Sequence, residues 1–200
     1  IEFWKAIFTH YGERDVLLHD QNDLRLIYEV VRFAREVGDD EVEFRRQRDE
    51  TNKREKELQQ IFEEIRRYGS DSERLTRKHQ HIIQVLQSHG YSLSPSSLRT
   101  LGRNIRSQRG IKENFREGLI RSGQYLSEIE KVFQEHNLPT ELALLPHIES
   151  SFNYSAFSKR GAAGIWQFIR GTGRRFMRID SRVDERLDPL KSSESAARLL

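Results

Sequence analysis

Residues 138–177 read LPTELALLPHIESSFNYSAFSKRGAAGIWQFIRGTGRRFM, and this stretch decides how the rest of the chain is understood. It opens on an apolar run containing Pro139 and Pro146 and closes that run on one acid, Glu149. Beyond Glu149 its character changes: serines and aromatics replace the leucines, and Gly161, Gly164, Gly171 and Gly173 follow. The spacing predicts a helix from about 139 to 149 with Leu142, Leu145 and Ile148 inward. A loop, a glycine-rich corner at 161–164, a short helix near 165–177, a polar connector and a final helix from near Ser192 follow. A carboxyl group at the apolar tip of a helix has its charged form disfavoured. A group that stays protonated near neutral pH is what general acid catalysis needs. An exposed helix-end glutamate is the competing reading of Glu149. His147 lies two residues earlier, so on a regular helix it points away from Glu149 and reads as structural.

Working outward, residues 111–136 place Phe115, Leu119, Ser122, Leu126, Ile129 and Phe133 at alternating steps of four and three, the pattern of one long helix with a buried face. Residues 95–105 predict a short helix behind Ser94, with Pro95 in its first turn. Ser70 with Glu73 suggests the start of another helix, whose inner stripe is Leu75, His79, Ile82 and Leu86. The longest candidate helix is 41–68, opened by a capping box at Asp40 and Glu43 behind a Gly38 cap. Its apolar seam of Phe44, Leu58 and Ile65 is interrupted at Thr51, so it projects from the body or lies over it with one face. Residues 22–37 carry Leu24, Ile27, Tyr28, Val31 and Ala34 at helical spacing, and residues 2–8 form a short amphipathic turn or two. No alternating pattern calls for a strand. The fold expected is therefore all-α: an N-terminal helical region over 1–109, then a second helical domain over 110–200.

Composition narrows the function. Apolar residues are 36% and charged residues 32% of the 200, which suits helices with solvated outer faces. The net charge of +3 gives little support to nucleic-acid binding. Two acid-free basic stretches stand out, Arg99 to Arg109 and Lys159 to Arg178, read either as solvated faces or as fields for an anionic polymer. There is no cysteine, and His79 and His81 face apart on a helix, so no metal site and no cofactor is expected. No apolar run reaches 18 residues, so no transmembrane segment is expected. The chain opens at Ile1 without a signal peptide, as a mature secreted chain or an excised piece would, which leaves room for a lipid anchor upstream.

The segment 138–177 resembles the catalytic core of lytic murein transglycosylases with the soluble-transglycosylase, goose-lysozyme-like fold, and looks most like their membrane-bound D type. Glu149-Ser150 matches the family's catalytic Glu-Ser pair, and Gly164-Ile165-Trp166-Gln167, 15 residues on, matches its Gly-Leu-Met/Trp-Gln motif. Gly161-Ala162-Ala163 and Thr172-Gly173 match the usual surroundings. The resemblance implies cleavage of the β-1,4 bond between N-acetylmuramic acid and N-acetylglucosamine, with Glu149 as the one general acid and base. It implies formation of a 1,6-anhydro ring and no second carboxylate, although Asp180, Asp184, Glu185 and Asp188 stay open as alternatives. Ser150 is expected to bond the carboxylate or cap the loop, and Gln167 to contact sugar or brace Glu149. Gly164 allows close approach, and Trp166 is either core or a sugar-stacking platform. Phe152 and Tyr154 are lesser groove candidates.

The implied partner is a peptidoglycan glycan strand, with an envelope protein as a further candidate, in the periplasm or at the outer membrane. The family's later Asn-Ala-Tyr type motif has no match in residues 168–200, so the lysozyme-like domain reads as truncated, lacking its C-terminal part. A non-catalytic wall-binding module or a helical scaffold on the same fold is the alternative function.

Overall fold

Val16-Leu17-Leu18 is the most apolar run near the N-terminus, and it is buried because it lies in a central strand. The computed structural model describes residues 1–35, 40–70 and 73–200, and the chain forms two compact units, Ile1–Lys112 and Glu113–Leu200. The architecture is predominantly helical, as expected, with one small sheet that was not.

In the first unit, helix α1 (Glu2–Thr9) precedes strands β1 (Asp15–Asp20) and β2 (Ile27–Arg32). Helices α2 (Asp40–Tyr68), α3 (Arg77–Ser88) and α4 (Pro95–Arg103) then lead to β3 (Ile105–Arg109). The sheet order is β2-β1-β3, antiparallel throughout, with Val16 opposite both Val31 and Arg109. In place of the helix expected over 22–37 the chain has strand β2 at Ile27–Arg32, and Ile105 belongs to β3 rather than to α4. The sheet escaped the sequence for more than one reason. A strand covered on both faces shows no polar alternation, and in β1 Leu17 packs with Phe3 and Ile7 while Leu18 packs with Tyr28 and Phe62. In β2, Ile27, Tyr28 and Val31 happen to sit at helical spacing.

The helix expected over 41–68 is present as α2. Its polar middle lies over the body through Gln47 and Thr51, 5% and 6% exposed. The Thr51 hydroxyl donates to the Gln47 carbonyl at 2.7 Å, and Arg109 donates to the Gln47 side-chain oxygen at 2.6 Å. The Gly38 cap and the Asp40 side chain lie outside the described residues. Helix α3 begins at Arg77 instead of near Ser70, because His79 turns back to accept from the Thr76 amide at 3.2 Å and closes the first turn.

The second unit holds α5 (Lys112–Ser122), α6 (Leu126–Glu135), a 3₁₀ turn at Thr140–Leu144, α7 (Pro146–Glu149), α8 (Arg170–Gly173) and α9 (Pro189–Leu199). The single helix expected over 111–136 is broken at Gly123, and the packed face of α5 is Gly118 and Ser122, not Leu119, which is 52% exposed. A Cβ on Gly118 would stand 3.1 Å from Ser151, so a small residue is what lets α5 approach that segment. The helix expected over 139–149 is split ahead of Pro146, which has no N–H to continue it. Ile148 is turned outward, 69% exposed. The short helix expected near 165–177 is only α8, and the last helix begins at Pro189, where the Asp188 carboxylate accepts from the Leu190 and Lys191 amides at 3.0 Å each. Ile129, Phe133, Phe152, Ile165 and Ala196 form the core.

Phe62 is 1% exposed and meets Tyr28 edge-on with ring centroids 5.3 Å apart. Phe62→Ala is expected to remove about 3–5 kcal/mol of unfolding free energy in urea titrations. Phe44→Ala, which removes an exposed ring beneath Arg109, is expected to cost about 1 kcal/mol or less.

Candidate active site

Glu149 is the last residue of α7, a single turn entered through Pro146. Three features fix that turn. His147 is 8% exposed and lies between Phe115 and Phe152, with ring centroids 5.5 and 4.6 Å away. Ser151 and Phe152 both adopt positive φ, 51° and 53°, a conformation that reverses the chain at the helix end. Phe152 thereby enters the core at 0% exposure, so it is not a groove residue, and its amide donates back to the Pro146 carbonyl at 3.1 Å. Tyr154 is 53% exposed and stands outside the cavity wall described next.

The Glu149 side chain is exposed and lines a cavity of about 260 Å³. Leu145, Trp166, Gln167, Thr172 and Leu199 are among the other walls. Among the described residues Glu149 is the one carboxylate in this wall. The four acids left open by the sequence are engaged elsewhere. Asp180 accepts from the Arg182 and Val183 amides and from Arg178, which hold its carboxyl down at about 2. Asp184 pairs with Arg186, which lowers it. Glu185 is lowered by the Arg178 amide, and Asp188 caps α9.

The loop 161–168 forms the facing wall. Ser150 does not reach the carboxylate through its proton: its hydroxyl donates to the Ile165 carbonyl at 2.9 Å, tying the end of α7 to the loop. Gln167, at φ 49°, spends its side-chain N–H groups on the Gly164 carbonyl at 2.9 Å and the Ala156 carbonyl at 3.4 Å. These bonds hold the amide in its own loop, on the cavity side. Trp166 packs against the core and also borders the cavity. One face stacks on Phe133 at 5.4 Å and the indole N–H donates to Ser193 at 2.7 Å, while the side chain also lines the cavity. Gly164 has φ 75°, and a Cβ there would lie 1.7 Å from the Arg186 carbonyl oxygen. Thr172, named above only among the motif's surroundings, joins the wall, as do Leu199 and Leu200, which were not singled out, because α8 and α9 reach the site through tertiary packing that no local spacing reveals.

The same segment lies within the match to a known family. Residues 127–200 match the family model described as the transglycosylase SLT domain. The chain is 40% identical over 77 residues to a putative tributyltin chloride resistance protein of Alteromonas sp. (strain M-1). It is 37% identical over 82 residues to membrane-bound lytic murein transglycosylase D of Escherichia coli (strain K12). These stretches are 38% and 40% of this chain and only 37% and 18% of the two relatives, so the chain spans a minor part of either. Residues 127–200 thus match a transglycosylase SLT domain, and the chain is similar in part to D-type proteins.

His147 has no partner for its buried Nδ1, and burial pushes its ring below the ordinary 6.5. Burial thus disfavours the protonated ring in the folded chain relative to the unfolded one. Its contribution to stability is full above pH 6.5 and is lost as pH falls from there through the folded-state value. Thermal melts from pH 7 to 5 are expected to show a smaller drop in Tm for His147→Phe than for the parent chain. Gly164→Ala is expected to cost at least about 2 kcal/mol, from positive φ and the backbone clash together, read by chemical denaturation.

Proposed function

We propose that the protein is a lytic transglycosylase that cleaves the β-1,4 bond between N-acetylmuramic acid and N-acetylglucosamine in peptidoglycan, with Glu149 as its sole general acid and base. The observation that carries this reading is one carboxylate, unaccompanied by a second among the described residues of the wall, on a mostly apolar cavity within the segment that matches the SLT domain. A glycosidase using two carboxylates keeps them about 5–9.5 Å apart across the sugar. Asp180, Asp184 and Asp188 are held by Arg178, by Arg186 and by the α9 N-terminus.

In the proposed reaction Glu149, protonated, gives its proton to the glycosidic oxygen as the bond to C1 of the muramyl residue breaks. The substrate's own N-acetyl carbonyl oxygen stabilises the cation at C1. The carboxylate of Glu149 then takes the proton of the muramyl 6-hydroxyl, whose oxygen bonds to C1 and closes the 1,6-anhydro ring. The acid is regenerated and no water is consumed. Trp166 and Leu145 supply the apolar wall, Ser150 ties the helix tip to the loop, and Gln167 braces the loop itself. Gly164 lets the loop pass close to its neighbour. The proposed setting is the bacterial cell envelope, periplasmic or at the outer membrane. The partner is a glycan strand whose peptide carboxylates suit the exposed Lys159, Arg160, Arg170, Arg174 and Arg175. Among the described residues no helix is long and apolar enough to cross a membrane.

The test uses the full-length protein on purified sacculi, with soluble products read by mass spectrometry. The parent is expected to release 1,6-anhydromuropeptides, and Glu149→Gln to lower that release by at least about 10²-fold. Undiminished release by the variant would sink the assignment of Glu149. Reducing-end products from the parent would show water attack and overturn the ring-closing step.

A further inference from the structure

Arg186 is the most buried charged group near the site, 4% exposed. Its Nε and Nη2 donate side by side to the two oxygens of Asp184, at 2.9 and 2.7 Å. Its Nη1 donates to the carbonyls of Gly161 at 2.7 Å and Phe168 at 2.9 Å. Those two carbonyls are the two ends of the loop that carries Gly164, Trp166 and Gln167. The backbone of Arg186 meets the loop's middle as well, since its carbonyl oxygen fills the space a Cβ on Gly164 would need. One residue therefore fixes the loop at both ends and at its centre. From the loop the connection continues through the Ile165 carbonyl to the Ser150 hydroxyl, next to Glu149.

We infer that Arg186, aligned by Asp184, is a positioning residue that sets the distance between the Gly161–Phe168 loop and Glu149, and so the width of the cavity in which the acid works. This rests on the transglycosylase reading above, and adds to it a residue pair that touches no sugar. The chemistry calls for a guanidinium. Its planar fork matches a carboxylate with two parallel bonds and still has Nη1 free for the carbonyls. An ammonium offers three donors from one point and cannot span both. Asp184 supplies the countercharge that offsets the cost of burying the cation.

The experiment compares Arg186→Lys and the milder Asp184→Asn with the parent in the full-length protein. Turnover is measured on soluble glycan strands, and amide hydrogen exchange is followed across residues 127–200. Positioning predicts a fall in kcat of about 10²-fold for Arg186→Lys, a smaller fall for Asp184→Asn, and KM within about threefold of the parent. It also predicts faster exchange at 162–168, with α6 and α9 protected as before. Parent-like kcat in both variants, with the parent active, would overturn the inference. So would unchanged exchange in the loop, or exchange that rises throughout α6 and α9 in both variants, which would mark a general role in folding. If the parent releases no anhydro product, the transglycosylase reading fails, and the exchange profile alone decides whether the pair holds the loop.

Discussion

The side chain of Arg186 is almost wholly buried, at 4% exposure, so its hydrogen bonds must come mainly from the chain around it. Asp184, Gly161 and Phe168 supply four. That requirement constrains the second unit more than any single apolar contact. It forces residues 161 and 168 to one side of the same ion and closes the intervening loop. The loop's inner residue Ile165 then fits the core with Phe133 and Phe152. The loop's carbonyl at Ile165 reaches Ser150, and with it the turn that ends on Glu149. A hydrophobic core could form with the loop displaced; a buried cation with unmet partners could not.

The acid itself sits on a helix of one turn, too short to be stable by its own hydrogen bonds. Its geometry comes from what flanks it. Pro146 sets the entry, His147 wedges between two phenylalanine rings, and the paired positive φ values at Ser151 and Phe152 send the chain back into the core. Each of these features concerns placement and none concerns the reacting group, which stands exposed at the end of an otherwise anchored turn.

The parts legible in the sequence were those whose signal is local. Helix α2 was readable from Leu58 and Ile65, and α6 from Leu126, Ile129 and Phe133, because one face of each is packed at the helical period, although Phe44, read into the same seam of α2, is exposed. The end of α7 at Glu149 was readable from the apolar run that this residue closes. The sheet was not, because β1 is covered on both sides and shows no alternation, and because Tyr28 and Val31 mimic a helix stripe. The face of α5 was misjudged because Gly118, not Leu119, makes its contact. Arg186 stayed invisible for a different reason. Two of its partners are backbone carbonyls 18 and 25 residues away, and a carbonyl carries no residue identity to read.

Trp166 has a consequence of an optical kind. Its indole is locked by the Phe133 stack and the Ser193 bond, yet it borders the cavity beside Glu149. The chain has one other tryptophan, Trp4, which belongs to the first unit and is 45% exposed. A chromophore held rigid on one side and wetted on the other changes its emission when the water beside it is displaced. The molecule thus contains its own dye for whatever fills the cavity, and Trp4→Phe would leave that emission as the sole indole light from the chain.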